Sequence, residues 1–491
     1  MSDPRITLGA DVSGADAQTV LHALDRVRPI VRVDPILGRF AATAAAALAV
    51  LLSRTFPHTS VEGDAAVGPN PWGGTSVVDV LERTRAAIPT SSREAEIAIV
   101  VGVGHGVTEA DLWIGGDDWT VRVARHPLVA EGNFSALGVH AAAALAAAEV
   151  TKEVLGKLGM ITVPIEGEFV WNLIDYKVCP AVAPPFEGMS PQKIALLGCG
   201  SVGSSVAGAL TCVEGLSGEA GCVDPDHFDP DRNPYRYPTA TGAESGPKAD
   251  WLAGLLGQFG WAGYAHTETV GAWVVGQPEP GFNGLAISSV DQLTGRLEVA
   301  DALARTTLSA GVKGLTLHVQ REHPDDEFAC PFCQFLDVSS PLSSAGLRAQ
   351  QAGLSEQRVL ELELRGELLT QADVDAAVQA GRVLADNASA MVGRRLDDLL
   401  RRVYAEIQVP TSVGAPAPPV SAAFVSWFVG VLLAAEIVKS ALANPMIDRR
   451  CDVDLSGVPL GLLSRRERDR SGRCTCRQPG RVRWARRLYP S

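Results

Sequence analysis

The feature that most constrains this chain lies near its centre. Lys193-Ile-Ala-Leu-Leu-Gly198 is a short apolar run with strand character, and it passes into Gly198-Cys-Gly200-Ser-Val-Gly203 and a helical stretch to about Leu210. A strand that turns through spaced glycines into a helix opens a doubly wound, Rossmann-like α/β sheet. The glycines permit the tight turn and let backbone N–H groups at the helix start face a phosphate. A second strand, Glu219–Val223, ends in Asp224, 21 residues past Gly203, where a carboxylate can accept ribose hydroxyls. In a chain with 49 glycines the spacing alone is weak; the strand before it, the helix after it and the acid beyond it give it meaning. To this point the residues fit a nicotinamide cofactor or an adenosine nucleotide.

The residues downstream separate the two. Asp224-Pro-Asp226 leads into Asn233-Pro-Tyr-Arg236, then Lys248, and beyond a strand at Leu285–Ser289 comes Asp291-Gln-Leu-Thr-Gly-Arg296. A dehydrogenase carries its pyrophosphate on backbone N–H groups and has little use for cations just past the ribose acid. A triphosphate needs them. Arg236 and Lys248 can hold β- and γ-phosphates, and Asp291 offers a hard oxygen to Mg²⁺. Such a set suits attack of a carboxylate on the α-phosphorus with pyrophosphate leaving. The expected nucleotide site is Gly198, Gly200, Ser201, Val202, Gly203, Asp224, Asp226, Asn233, Arg236, Lys248 and Asp291, with Arg236, Lys248 and Asp291 in catalytic roles.

Over about Lys193–Cys333 this constellation resembles the ThiF/MoeB and ubiquitin-activating enzyme superfamily in both order and spacing. Its elements are the glycine loop, Asp-x-Asp, Asn-x-x-Arg, a downstream Lys, and an Asp followed five positions later by Arg. Asp224 to Asn233 is nine positions, one more than that family's usual spacing. The resemblance implies a ThiF-type adenylyltransferase that uses ATP and Mg²⁺ on the C-terminal carboxylate of a small ubiquitin-like protein. That is the first step of a bacterial conjugation or sulfur-carrier pathway, antiviral in some relatives, with a conjugating enzyme as a further partner. It implies a structural role for Arg296 and an arginine reaching the phosphates from an opposite lobe, for which Arg5, Arg26, Arg28, Arg32 and Arg39 are candidates. The alternatives are an enzyme that adenylates a ribosomally made peptide, an NAD-dependent oxidoreductase, and a nucleotide-binding pseudoenzyme scaffold.

Cys330-Pro-Phe-Cys333 is a knuckle-type turn that presents two thiolates to one metal. Cys474-Thr-Cys476 is a second close pair, and the resemblance implies that the two pairs close a structural Zn²⁺. His323 is either a substitute ligand or a surface histidine. Ubiquitin-activating enzymes also carry a thioester-forming cysteine between such pairs, yet residues 334–450 contain none. Cys451, then Cys179, remain as candidates; Cys199, Cys212 and Cys222 read as packing residues.

Length and composition set the frame. A chain of 491 residues implies several domains. The expected division is an inactive adenylation-like lobe at 1–165, a linker at 166–190, and an ATP-binding domain at 191–337. A helical insert at 338–420 and a closing segment at 421–491 complete it. Upstream, helices are expected near Phe40–Ser53 and Leu137–Leu155, a strand at Ile97–Val101 and a strand pair around Leu112–Val123. Downstream, helices are expected at Ala249–Phe259, Leu297–Leu308 and Ala422–Leu442, a strand at Gly314–Gln320, and a proline-rich connector at Pro410–Pro419. Ala147-Ala-Glu149-Val-Thr-Lys152 recurs as Ala434-Ala-Glu436-Ile-Val-Lys439. That is either chance among Ala-rich helices or the trace of a duplicated lobe. In a copy, Gly102-Val-Gly104-His-Gly106 would stand for the glycine loop with its nucleotide lost, and the chain would be a monomer mimicking a dimer, or a homodimer. A net charge of −13 argues against nucleic acid as a partner. Ser464–Ser491 is locally basic, as a solvated tail against an acidic body would be. The apolar runs Phe40–Leu52 and Ala422–Ala435 are short of the roughly 20 residues a membrane span needs, so they are expected as core helices of a cytoplasmic protein.

Overall fold

The computed structural model describes residues 17–490 apart from 86–93, 129–135, 160–161, 183–185, 231–232, 325–327, 334–347, 350–351, 401–421, 470–473 and a few single positions. The connector Pro410–Pro419 lies outside the described residues.

Two parallel-rich sheets organise a mixed α/β chain. The first is built from β1 (Val27–Val33), β2 (Ser60–Glu62), β3 (Ile97–Val103), β4 (Leu112–Gly116), β5 (Thr120–Ala124) and β6 (Glu168–Asn172). The second is built from β7 (Gln192–Leu197), β8 (Gly218–Val223), β9 (Trp261–His266), β10 (Phe282–Ser288), β11 (Ala304–Lys313), β12 (Thr316–Glu322), β13 (Arg450–Asp454) and β14 (Leu462–Ser464). The principal helices are α1 (Arg39–Ser53), α2 (Ala136–Lys157), α3 (Ser201–Thr211), α4 (Lys248–Gly257), α5 (Leu293–Asp301), α6 (Glu356–Arg365), α7 (Gln371–Gln379), α8 (Ala423–Ala441) and α9 (Pro479–Leu488).

The sheets share a plan. The first runs β2-β1-β3-β4-β5-β6, and the second contains β8-β7-β10-β11-β12-β13 with β9 and β14 added at its edges. In each, three parallel pairings are followed by two antiparallel ones. In each, a long apolar helix leaves the chain between the last two of these strands: α2 between β5 and β6, α8 between β12 and β13.

Those helices form the joint between the lobes. α1 packs on α2, α2 on α8, and α8 on α3. A helix that is apolar all round must be buried, and α8 is: it is long and apolar enough to cross a membrane, but 94% of its apolar window is buried inside the protein. α1, rich in alanine, is likewise enclosed from Ala41 to Ser53. Near their C-terminal ends, α2 and α8 carry the same buried ion pair. Glu149 pairs with Lys152, and Glu436 with Lys439 at 2.6 Å. The second carboxylate oxygen accepts a backbone N–H from Ile165 (2.9 Å) in one case and Ile447 (2.7 Å) in the other. Both pairs are also stitched to the opposite lobe, since Lys152 Nζ donates to Gly457 O (2.9 Å) and the Tyr176 hydroxyl donates to Glu436 (2.6 Å).

Some expectations are corrected. The helix expected at Leu297–Leu308 stops at Asp301; Leu303 adopts a positive φ of 45°, and Ala304–Lys313 is a strand. The expected linker contains β6, which completes the first sheet against β5. Among the described residues of Ser464–Ser491, the basic α9 pairs with an acid of the body through Arg481–Asp301, as a solvated basic tail would, and the Tyr489 hydroxyl donates to Leu303 O. Gly102–Gly106 spans the last two residues of β3 and the turn after it, and by sheet position β3 matches β10; the position that matches the glycine loop is instead the turn Asp34–Gly38 after β1. Within the insert, α6 and α7 close a small core of their own around Val359, Leu362, Val374 and Ala377.

Removing one partner of a buried ion pair strands the other without water. Lys439→Met should therefore lower the unfolding free energy by about 3–5 kcal/mol in urea titrations. The same change at Arg32, which pairs with half-exposed Glu62, should leave the midpoint near wild type.

Candidate nucleotide site and cysteine cluster

The glycine loop crosses the carboxyl end of β7, between β8 and β10. This is the point where the connections leave the sheet in opposite directions and where open α/β sheets bind ligands. Gly198 has φ +100°, a conformation that favours glycine. A Cβ on Gly203 would stand 2.1 Å from Gly198 O, so only glycine lets α3 come this close to the loop. α3 starts at Gly200, which offers no side-chain cap, so its first N–H groups face the space above the strand ends.

Around that space the structure gathers residues from 93 positions of sequence. Asp224, at the end of β8, is buried and accepts from Cys199 N (2.7 Å) and Asp226 N (2.9 Å). Its pKa is raised by burial, with Lys248 pulling the other way. Lys248, the first residue of α4, reaches Asp226 at 3.0 Å. Burial lowers its pKa, but Tyr237, Asp224 and Asp226 together outweigh this and raise it, so the ammonium stays charged. Asp291, past the end of β10, is solvent-accessible yet hemmed in by protein. That crowding raises its carboxyl, while Arg236, Arg296 and Lys248 pull it down. The acid thus sits in the field of three cations.

Other expected residues serve the frame. The Ser201 hydroxyl donates to Arg236 O at 2.6 Å, Val202 is buried, and the Asn233 carboxamide oxygen accepts Asp229 N at 2.8 Å. Arg296 is buried, its pKa lowered by burial to about 10 with Asp291 opposing. Two residues carry no motif in the sequence. The Ser289 hydroxyl donates to Gly198 O at 2.8 Å. Tyr237 is buried, stacks on Trp251 at 6.1 Å, and its hydroxyl hydrogen-bonds Lys248. The adjacent aromatic in Asn-Pro-Tyr-Arg-Tyr was its only signal.

The corresponding position of the first lobe holds a cavity of about 350 Å³ at the ends of β1, β2 and β3. Its charged lining is Arg32, Asp34, Glu62 and Glu109. Asp34 already accepts Gly106 N (2.6 Å) and Ile36 N (3.0 Å), and Arg32 is paired with Glu62. This is an acidic hollow, opposite in sign to what a polyphosphate requires.

Cys330, Cys333, Cys474 and Cys476 are all buried, with their Sγ atoms within 4.8 Å of one another. Four thiolates at the Zn–S length of about 2.3 Å stand roughly 3.8 Å apart in a tetrahedron. The Cys330–Cys474 and Cys333–Cys476 separations of 3.4 and 4.0 Å bracket that value. Arg468 ties the two pairs together by donating to Phe328 O, His323 O, Pro324 O and Cys476 O. His323 lies against Tyr489 instead of in the cluster.

Of the arginines considered for reaching the phosphates, Arg26 pairs with Glu96, Arg32 with Glu62, and Arg39 with Glu214 beyond the far end of α3 from the glycine loop. Arg5 lies outside the described residues. Cys451 is fully buried on β13, which leaves an acyl group no approach, whereas Cys179 is exposed.

No protein-family profile matches the chain. An uncharacterized protein of Sinorhizobium fredii, y4jF, is 24% identical over 429 residues, spanning 82% of this chain and 80% of that protein. Among solved structures, MccB of E. coli with succinimide is similar over 60% of this chain and 69% of that one, at 12% identity and a TM-score of 0.36. The microcin C7 biosynthetic enzyme MccB with N-formylated MccA is similar over 59% and 69%, at 14% identity and the same TM-score of 0.36. Likeness this loose carries no argument, and the site is read from its own geometry.

Burial pushes the Cys451 thiol up to about 12, so roughly one part in 10⁴ is thiolate at pH 8. Native alkylation with iodoacetamide at pH 8 should label Cys179 and spare Cys451, and denaturation should open Cys451 to label. Peptide mass spectrometry reads both.

Proposed function

We propose that this chain is an ATP-dependent adenylyltransferase acting on a carboxylate at the end of a polypeptide. The observation that carries the reading is Asp291 in the field of Arg236, Lys248 and Arg296, beside a glycine loop and the ribose-side acid Asp224. A nicotinamide enzyme has no use for that set, whereas a triphosphate does. On this reading the loop amides and the start of α3 face phosphate, Asp224 accepts ribose hydroxyls, and Arg236 and Lys248 hold the β- and γ-phosphates. Asp291 would hold Mg²⁺, which neutralises triphosphate charge when bound. A substrate carboxylate oxygen attacks the α-phosphorus, the bond to the β-phosphate oxygen breaks, and pyrophosphate leaves against Arg236 and Lys248. The acyl-adenylate is then released to an acceptor without a thioester on Cys451.

The substrate is a small protein or peptide; a ubiquitin-like protein is the form that the family resemblance implies, and a ribosomally made peptide is the alternative. The shared strand plan and the twin Glu–Lys pairs support a duplication in which the first lobe has lost its nucleotide, because its corresponding hollow is acidic. One chain would then hold one ATP and contain within itself the arrangement of a dimer. The four cysteines would hold a structural Zn²⁺. Reduced thiols and a buried α8 fit a cytoplasmic protein.

ATP with Mg²⁺ should raise the melting temperature, NAD and NADP should not, and Lys248→Ala should abolish the shift. Asp291→Ala should keep the wild-type melting temperature and lose about 10²–10³ in pyrophosphate exchange. Stabilisation by NAD with Lys248→Ala indifferent would overturn the reading. Separately, elemental analysis should find one zinc per chain, and Cys474→Ser should lose it.

A further inference from the structure

The segment that presents Arg236 and Tyr237 is held from both lobes. From its own lobe, Ser201 donates to Arg236 O, and Phe228 and Trp251 enclose the Tyr237 ring at 5.7 and 6.1 Å. From the first lobe come two buried donors. Trp72 Nε1 donates to Pro238 O at 2.9 Å, and the Arg54 guanidinium donates to Ala240 O and, at 3.4 Å, to Thr84 O. Both side chains are nearly inaccessible, Trp72 at 2% and Arg54 at 3% exposed. Buried carbonyls demand partners, and here the partners of two carbonyls in one short segment belong to the other lobe.

The donors are themselves fixed. Asn70 bonds Gly68 O and Gly74 O and accepts from Trp72 N, which locks the turn that carries the indole. The Trp72 ring also packs on Trp427 of α8 at 5.7 Å. Arg54 follows α1 directly. Burial lowers its pKa to about 10, so it remains charged at neutral pH, with the Glu244 carboxylate opposing that shift. Glu244 in turn binds Thr241 N (2.7 Å) and Gly242 N (2.8 Å), continuing the hold past Ala240. Among the described arginines expected to cross between lobes, Arg39 reaches Glu214 and none holds this segment; Arg54 does, and it acts on backbone.

We propose that Arg54 and Trp72 are positioning residues by which the first lobe sets the placement of Arg236 and Tyr237 in the nucleotide site of the second. The catalytic consequence rests on the adenylation reading; the placement does not. A duplicated lobe without a nucleotide would thus be retained as a brace for the working one. Misplacing a charge by about an ångström costs up to about 10²-fold in rate, so the brace acts on turnover more than on ATP affinity.

The test uses the full chain with Trp72→Phe, which keeps an aromatic ring, smaller than the indole, and removes the N–H, and with Arg54→Lys and Arg54→Met. Hydrogen–deuterium exchange of the peptide spanning residues 235–242 is compared with peptides of α8, and pyrophosphate exchange is measured alongside. The expected result is about tenfold faster exchange of that peptide, with α8 unchanged. The exchange reaction should lose about tenfold in kcat with the KM for ATP within threefold. Arg54→Lys should fall between wild type and Arg54→Met. Wild-type protection of the 235–242 peptide in both Trp72→Phe and Arg54→Lys overturns the proposal, and so does a loosened peptide with wild-type kcat. If the wild-type chain shows no pyrophosphate exchange, the adenylation reading fails, and the protection of the peptide still decides the placement.

Discussion

The structure turns on one apolar contact, the packing of α2 against α8. Each helix lies on its own sheet and on the other helix, so the hydrophobic term that folds one lobe also joins it to its neighbour. Non-directional packing does not by itself fix a register. The buried Glu149–Lys152 and Glu436–Lys439 pairs add direction, because each must find named partners: the backbone N–H groups of Ile165 and Ile447, Gly457 O and the Tyr176 hydroxyl. With the register set, α1 ends where Arg54 meets Ala240, and the Trp72 turn meets Pro238. The site in the second lobe is therefore built on a joint some distance from the chemistry.

Parallel strands explain why residues so distant in sequence meet. Each βα crossover returns the chain to the same edge of the sheet, so Gly198, Asp224 and Asp291 each fall at or just past the end of a strand and lie side by side. Lys248 and Arg236 come from the long β8–β9 connection, which must be anchored if its charges are to stay aimed. Asp226, Ser201 and Tyr237 supply that anchoring. The electrostatics arise from the same crowding. Burial raises the Asp224 and Asp291 carboxyls, the cations offset it, and Lys248 keeps its proton because the acids and Tyr237 outweigh its burial.

What was legible in the sequence was what local pattern encodes. The glycine loop, the acid after β8, the long apolar helices and the paired cysteines all declare themselves within a few residues. The recurring Glu-x-x-Lys was also visible, but that it is a buried pair at the end of a core helix depends on the tertiary fold. Three kinds of feature were hidden. β11 follows α5 after a two-residue break at Leu303, whose positive φ no propensity indicates for leucine, so helix and strand merged into one expected helix. β6 is short and polar at both ends, and only its pairing with β5 makes it a strand. Arg54 and Trp72 act across 186 and 166 positions of sequence on backbone carbonyls, which have no side-chain signature.

The two lobes also differ in how the polar groups at matching sheet positions are used. A polyphosphate site needs open backbone N–H groups and cations. At the ends of β7, β8 and β10 the start of α3 has no side-chain cap, and three cations, Arg236, Lys248 and Arg296, meet three acids, Asp224, Asp226 and Asp291. At the ends of β1, β2 and β3 one cation, Arg32, paired with Glu62, meets three acids, and Asp34 takes up the N–H groups of Gly106 and Ile36. The side chains that make the first position acidic also stabilise its loops, so a position that need not hold a polyphosphate can satisfy its own polar groups and be stiffer. Stiffness is what a brace requires. In the second lobe the uncapped start of α3 and the crowded Asp291 are groups that a bound nucleotide and its cation would stabilise further.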